Sequence, residues 1–329
     1  MRGFLTINFT HGIKFRKEKE KRRKMKLFAP PYYRNFKCIA DRCGHSCCVG
    51  WEIDIDDKTL SKYKNVDGEF GERLSKSIST EGEAHFILAE NERCPFLNSD
   101  NLCDIIINLG EDYLCGICDA HPRFKNELPD RIEVGLGLCC EAAGKLILSK
   151  KEKTKFFPKA DTDDEIILLR DGIISVLQNR RLSLEKRIDK VFSLLGAEKD
   201  GRPMSEWAEV LLGLERLDGD WTKLLLKLKD FGGDTADFDR FMRPRQTEYE
   251  QFLVYLIYRH FANAPDLCSA VARARFAVLG YEILRSLGAI IFNEKSGFTL
   301  ENQIELARLF SSEIEYSDEN LYTILDGLY

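Results

Sequence analysis

From about Asp163 to the end of the chain, apolar residues recur three and four positions apart, the period of helices that bury one face. Ile166, Ile167 and Leu169 are followed by Ile173, Ile174 and Leu177, then by Leu184, Ile188, Val191 and Leu194. The same spacing predicts helices over 205–217, 221–231, 247–263, 265–287, 299–312 and 317–327. Several of these open at Ser, Thr or Asp and close at Gly, as helix caps require. No repeat of about 34 or 40 residues runs through them, so a regular solenoid is not expected.

The front of the chain is patterned differently. Trp51-Glu-Ile-Asp-Ile-Asp56 alternates apolar and acidic residues, the period of a half-buried strand. Asp56 or Asp57 can then cap a short helix carrying Leu60, Tyr63 and Val66 on one face. A second amphipathic piece is expected over 70–78 and a strand over 84–88. From Arg93 to Phe124 the chain reads as short turns and helical pieces punctuated by Cys, Gly and Pro. Arg131 to Leu138 reads as a strand, and a helix follows over 141–149. Gly135-Leu-Gly137 lacks the third glycine and the strand and helix setting of a dinucleotide fingerprint, so it is set aside. Ahead of all this, residues 14–26 form a basic run that can bury no apolar face, which predicts a solvated extension over 1–24 and a native start at Met25. The expected fold is mainly α, with a small irregular α+β cysteine-rich metal-binding part over 25–155 and an all-helical C-terminal part over 156–329.

Composition narrows the partners. Apolar residues at 44% and charged residues at 31% are ordinary globular values, and a net charge of -5 offers no general attraction to nucleic acid or to an anionic membrane. No nucleic-acid or membrane partner is expected. There is no unbroken run of about 18 apolar residues to span a bilayer. The mildly apolar first residues lack the features of a secretory signal, so the cytoplasm is the expected location.

That location changes the meaning of the cysteines, because disulfides rarely persist there and gathered thiols point instead to metal or redox chemistry. Ten of the 11 cysteines fall between Cys38 and Cys140, with only Cys268 outside. The candidate metal ligands are Cys38, Cys43, Cys47, Cys48, Cys94, Cys103, Cys115, Cys118 and Cys140. Zinc sites favour Cys-x2-Cys pairs, and Cys115-x2-Cys118 is the one clean pair of that kind. Cys38-x4-Cys43-x3-Cys47-Cys48 and the Cys94-Pro95 step suit the more varied spacings of iron–sulfur clusters. A Cys-x3-Cys-x2-Cys triplet for radical chemistry is absent. An iron–sulfur cluster, a 4Fe-4S centre in the first instance, is therefore the expected cofactor, with zinc as the alternative. His45 and His121 are further candidate ligands, although softer thiolates compete with them.

Phe36-Lys-Cys38-Ile-Ala-Asp-Arg-Cys43-Gly-His-Ser-Cys47-Cys48-Val-Gly-Trp51, with Arg93-Cys94-Pro95-Phe-Leu97, Leu102-Cys103 and Cys118-Asp-Ala-His-Pro122-Arg-Phe, resembles the flagellin lysine-N-methylase family, a relative of the CxxCxxCC zinc- or iron-chelating proteins. The resemblance extends through about residue 148. At Cys139-Cys140-Glu141 the chain departs from the Cys-Pro-Glu more usual there. It implies an S-adenosylmethionine-dependent protein-lysine N-methyltransferase that contains an iron–sulfur cluster and acts on flagellin. Under that reading an open iron position would anchor the methyl donor, or else the cluster is purely structural. A lysine acceptor must arrive neutral and in line with the methyl group, so a carboxylate or tyrosine is needed to orient it. Tyr32, Tyr33, Trp51, Glu52 and Tyr113 stand near the cysteines in sequence, but none is assigned a catalytic role. The alternative is a non-catalytic iron–sulfur or zinc module, sensing redox state or binding a partner through its helical half.

Overall fold

The computed structural model describes residues 25–50, 52–156 and 162–329. The basic extension expected over 1–24, and Trp51, lie outside them. The front of the chain is built from short pieces: β1 (Lys26–Phe28), α1 (Asp57–Tyr63), α2 (Gly68–Lys76), β2 (Ile78–Ser79), β3 (His85–Phe86), α3 (Asp104–Leu109), α4 (Gly116–Ala120), β4 (Arg123–Leu128), β5 (Arg131–Leu136) and α5 (Glu141–Leu148). Helices follow: α6 (Glu165–Leu177), α7 (Leu184–Leu195), α8 (Met204–Gly213), α9 (Gly219–Lys229), α10 (Ala236–Met242), α11 (Gln246–His260), α12 (Leu267–Lys295), α13 (Leu300–Phe310) and α14 (Asp318–Gly327). The chain is thus mainly helical with a few strands.

The helices start where their caps are. Asp164, Ser183, Asp266, Thr299 and Ser317 each accept a backbone N–H of the first turn, and Thr299 with Asn302 completes a reciprocal capping box. Gly196 closes α7 in the left-handed conformation that glycine adopts without strain. α12 packs against α9, α10, α11, α13 and α14 at the centre of the bundle. By length and composition it could cross a bilayer, although charged residues interrupt it. Its most apolar window is 67% buried inside the fold, which is how the core helix of a bundle uses an apolar surface.

Two cores result. The larger joins α5 to α14 with Tyr32, Leu136 and Leu138 from the front of the chain. The smaller holds Ile53, Ile55, Tyr63, Leu74, Phe86, Cys94, Phe96, Ile105 and Cys115. A three-stranded sheet borders the larger core in the order β1-β5-β4, with β1 parallel to β5 (Lys26↔Arg131) and β4 antiparallel to it (Arg123↔Leu136). Glu133 of β5 is fully buried and meets Arg170 of α6 at 2.5 Å, which fastens the sheet to the helices.

Several expectations shift in detail. The alternation at 51–56 does bury Ile53 and Ile55, but among its described residues the segment pairs only through an Asp54–His85 bridge. β4 begins at the end of the stretch read as turns and continues through residues for which no element is expected, because its Arg-Phe-Lys-Asn-Glu-Leu run is mostly polar, and an edge strand with one face in water needs little apolar content. α10 has no counterpart among the expected helices, and α12 continues past Leu287 to Lys295.

Candidate functional site at the cysteine-rich junction

The described residues contain no disulfide, and the cysteines stand as thiols. They fall into two groups. Cys48, Cys94, Cys103, Cys115 and Cys118 all line or border the smaller core. The Cys94 N–H donates to the Cys48 carbonyl at 2.8 Å, which brings two distant stretches of sequence side by side. Cys103 and Cys115 sit at the starts of α3 and α4, where free helix N–H groups favour a negative sulfur. Burial pushes the Cys94 thiol up to about 12, and nearby Cys48, Cys103 and Cys115 push in the same direction. Burial likewise raises Cys103 against the pull of the Ile105 and Ile106 N–H groups. Cys115 and Cys118 are hydrogen-bonded to each other, which lowers Cys115 and raises Cys118.

The second group lies at the junction with the helical bundle. Cys140 starts α5 and borders the larger core, and the next residue, Glu141, reaches into the Cys38–Cys48 loop. Its Oε2 accepts the Gly44 N–H at 3.0 Å and lies 3.8 Å from the Cys43 Sγ. Cys43 also donates to the His45 carbonyl at 3.0 Å. Burial raises Cys43 to about 11, helped by the charges of Glu141, Cys140 and Cys38. Cys47 interacts with both groups: it is hydrogen-bonded to Cys48, which lowers Cys48 to about 7, and its own thiol is raised by that bond, by burial and by the neighbouring Cys38 and Cys140. The loop is tied to the bundle a second time by His45 Nε2, 2.9 Å from Glu305 of α13. Burial works to raise Glu305, but Arg308 and His45 more than offset it and hold it down at about 2.

Among the described residues, no three His, Cys, Asp or Glu side chains stand close enough to hold a metal ion as placed. The chemistry of the donor set nonetheless suits a thiophilic metal or cluster, since the sulfurs are soft and several are raised by burial and by one another. A bound cation would relieve that repulsion.

The tyrosines and carboxylate picked by nearness in sequence do not gather here. Tyr32 is buried in the larger core and raised by burial, and Tyr33 packs against the same core. Glu52 is exposed, 3.6 Å from His85. Tyr113 lies under the Lys62 ammonium at 5.4 Å, and its carbonyl accepts from the Tyr63 hydroxyl. His121 is held down at about 4 by burial and by Arg123. Its ring instead lies 6.4 Å from that of Tyr316, a C-terminal residue that borders Cys139. Tyr316 comes from nearly two hundred residues further along the chain, and no local pattern in the sequence marks it.

Comparison with known proteins meets this arrangement from the other end of the chain. Residues 204–329 match the FliB lysine N-methylase C-terminal domain. Over that stretch the chain is similar to the lysine N-methylase family. Lysine-N-methylase of Salmonella choleraesuis (strain SC-B67) is 28% identical over 128 residues, covering 36% of this chain and 32% of that protein. Lysine-N-methylase of Salmonella typhimurium is likewise 28% identical over 128 residues. Flagellar biosynthetic protein FliU of Salmonella muenchen is 27% identical over 149 residues, covering 43% of this chain and 88% of FliU. The match therefore spans about a third of the length of the lysine-N-methylases. No solved structure matches the chain. This C-terminal similarity points to the same family that the cysteine stretch resembles, although the matched helices carry no recognisable motif.

Proposed function

We propose that this protein is a lysine N-methylase that transfers a methyl group from S-adenosylmethionine to lysine side chains of a protein, with flagellin as the substrate, in the cytoplasm. The observation that carries this reading is the match of 204–329 to the FliB lysine N-methylase C-terminal domain. In the reaction the lysine ammonium must first give up a proton to water, since no residue is assigned as its base, and become the neutral amine. Its lone pair then forms the N–CH3 bond as the S–CH3 bond breaks, and S-adenosylhomocysteine leaves with the electron pair on sulfur. The site must hold donor and acceptor in line and keep water away.

The thiols are proposed to hold an iron–sulfur cluster, with zinc as the alternative. Cys48, Cys94, Cys103, Cys115 and Cys118 would form one ligand set, and Cys38, Cys43, Cys47 and Cys140 would stand at the junction. When bound, such a centre would supply positive charge and, if a coordination position stays open, an anchor for the amino acid end of the donor. The chain's own contribution is to close the Cys38–Cys48 loop onto the bundle. Glu141 and His45 do this, which leaves one face shared by loop thiols and helical domain.

The test is transfer of labelled methyl from S-adenosylmethionine to purified flagellin by anaerobically prepared protein, with iron, sulfide and zinc measured per chain. Label on flagellin lysines is expected, along with metal that Cys94→Ala loses and Cys268→Ala keeps. Absence of transfer by a fully metal-loaded preparation would overturn the enzyme reading in favour of a binding or redox module.

A further inference from the structure

Beneath the junction lies a polar network that neither the cysteine pattern nor the family match explains. After α13 the chain makes one π-helical turn, Ser311–Glu315, and the wider turn leaves Glu315 fully buried beside the exposed Tyr316. The Glu315 carboxylate accepts the Tyr255 hydroxyl at 3.0 Å and is met by His260 Nε2 at 2.6 Å and Arg259 Nε at 3.5 Å. The Tyr255 hydroxyl in turn accepts from Arg259 Nη1 at 2.7 Å and from the Leu138 N–H at 3.2 Å. The Arg259 guanidinium lies between two rings, 4.6 Å from the centre of Tyr316 and 5.1 Å from that of Phe124. Tyr316 is 44% exposed, yet its hydroxyl turns inward and shares its proton between the Pro122 carbonyl at 3.4 Å and the Cys139 thiol.

All these contacts converge on one short turn. Leu138 is held by Tyr255, and Cys139 by Tyr316. The Gly137 N–H donates to the Pro122 carbonyl at 2.6 Å, and the Cys140 N–H to the Gly137 carbonyl at 3.4 Å. A Cβ on Gly137 would lie 2.0 Å from the Tyr316 hydroxyl, so only glycine lets the ring seat there. Beyond the turn, Cys140 opens α5 and Glu141 reaches Cys43 and Gly44. A buried Arg–Glu–His–Tyr set is a poor way to add stability, because well-packed apolar residues would do as well or better. Its best-attested use is to fix one arrangement among several.

We propose that Tyr255, Arg259, Glu315 and Tyr316 are positioning residues that set the Gly137–Cys140 turn, so that Cys140 and Glu141 meet the Cys38–Cys43 loop. The junction thiols are then assembled by the helical domain, whereas the five thiols of the smaller core are assembled by their own packing. This rests on the proposed methyl transfer only for its consequence in catalysis, since the contacts themselves need no substrate.

The test uses the full chain, with Tyr255→Phe, Tyr316→Phe and Glu315→Gln, and reads the alkylation rate of each cysteine by limiting iodoacetamide and peptide mass mapping. Tyr255→Phe should raise the rates of Cys140 and Cys43 about tenfold through local opening, with Cys103 and Cys118 unchanged within about twofold. Cys115→Ala should do the reverse, freeing Cys94, Cys103 and Cys118 while leaving Cys140 protected. A rise of both groups in step, or an unchanged Cys140 in a folded variant with a lowered melting temperature, would reduce the network to ordinary packing. Glu315→Gln leaves Arg259 buried without its countercharge and can fail to fold, so Tyr255→Phe is the deciding variant. In the methyl-transfer assay Tyr255→Phe should lower kcat and leave the KM for S-adenosylmethionine in place. Wild-type protein that transfers no methyl would sink the proposed function and leave the alkylation result standing.

Discussion

Among single residues, the two glycines that fail as a nucleotide fingerprint acquire a use in packing. A Cβ on Gly135 would lie 2.3 Å from the Phe124 ring, and one on Gly137 2.0 Å from the Tyr316 hydroxyl. Both rings border Arg259, so the missing side chains make room for the guanidinium's two aromatic covers. Gly137→Ala should therefore cost about 1–3 kcal/mol in urea unfolding, the usual penalty of overpacking. The same substitution in a Tyr316→Ala background should cost little, and a double-mutant cycle without coupling would show that the two positions do not compete for space.

Between helices, buried charge makes ties as much as apolar surface does. Glu250 of α11 is fully buried and accepts from Arg180 at 2.8 Å and from Arg187 of α7 at 2.8 Å. Arg187 also donates to the Leu177 and Leu182 carbonyls, closing the α6–α7 connection over α11. Glu250→Gln should destabilise by about 3–5 kcal/mol, because it strands a buried guanidinium. Helix starts are cheaper to disturb. Thr299→Ala removes one side of the α13 capping box and should cost about 1 kcal/mol by the same denaturation measurement. A loss much larger than that would mean Thr299 does more than cap.

Across the molecule as a whole, acid should weaken the fold before ordinary carboxylates titrate. Burial lowers His121 to about 4 and lowers His260 as well, so both stay neutral in the folded chain below the usual histidine range. The unfolded chain then binds more protons as pH falls below about 6.5, and stability declines from there toward pH 4. Glu305, held at about 2, and Glu315, also held low, extend the loss to lower pH. Burial raises Glu282 and Glu313, which act in the opposite sense near and above the ordinary carboxylate range. The melting temperature should fall between pH 6.5 and 4, and His121→Gln should flatten that fall. An equal slope in wild type and variant would exclude His121 as a source. The two cores also predict separable local stability. Hydrogen exchange should be faster across the smaller core than in α11 and α12, since its apolar content is far smaller.

The C-terminal helices are legible because burial on one face of a helix writes a period into the sequence, and Asp164, Ser183, Asp266, Thr299 and Ser317 mark their starts as well. The thiol-rich stretch is equally plain. β1 and β4 are not, because short strands beside β5 need few apolar residues of their own. The sorting of the thiols is decided only in three dimensions. Cys48 borders the smaller core, while its neighbour Cys47 also faces the junction, so adjacency in sequence does not fix the group. The pairing of Glu315 with Tyr255, Arg259 and His260 spans some sixty residues. Periodicity is a local property and can report which residues turn inward. Which buried polar groups meet there depends on how α11, α13 and the sheet cross, and that is settled by the packing of the whole chain.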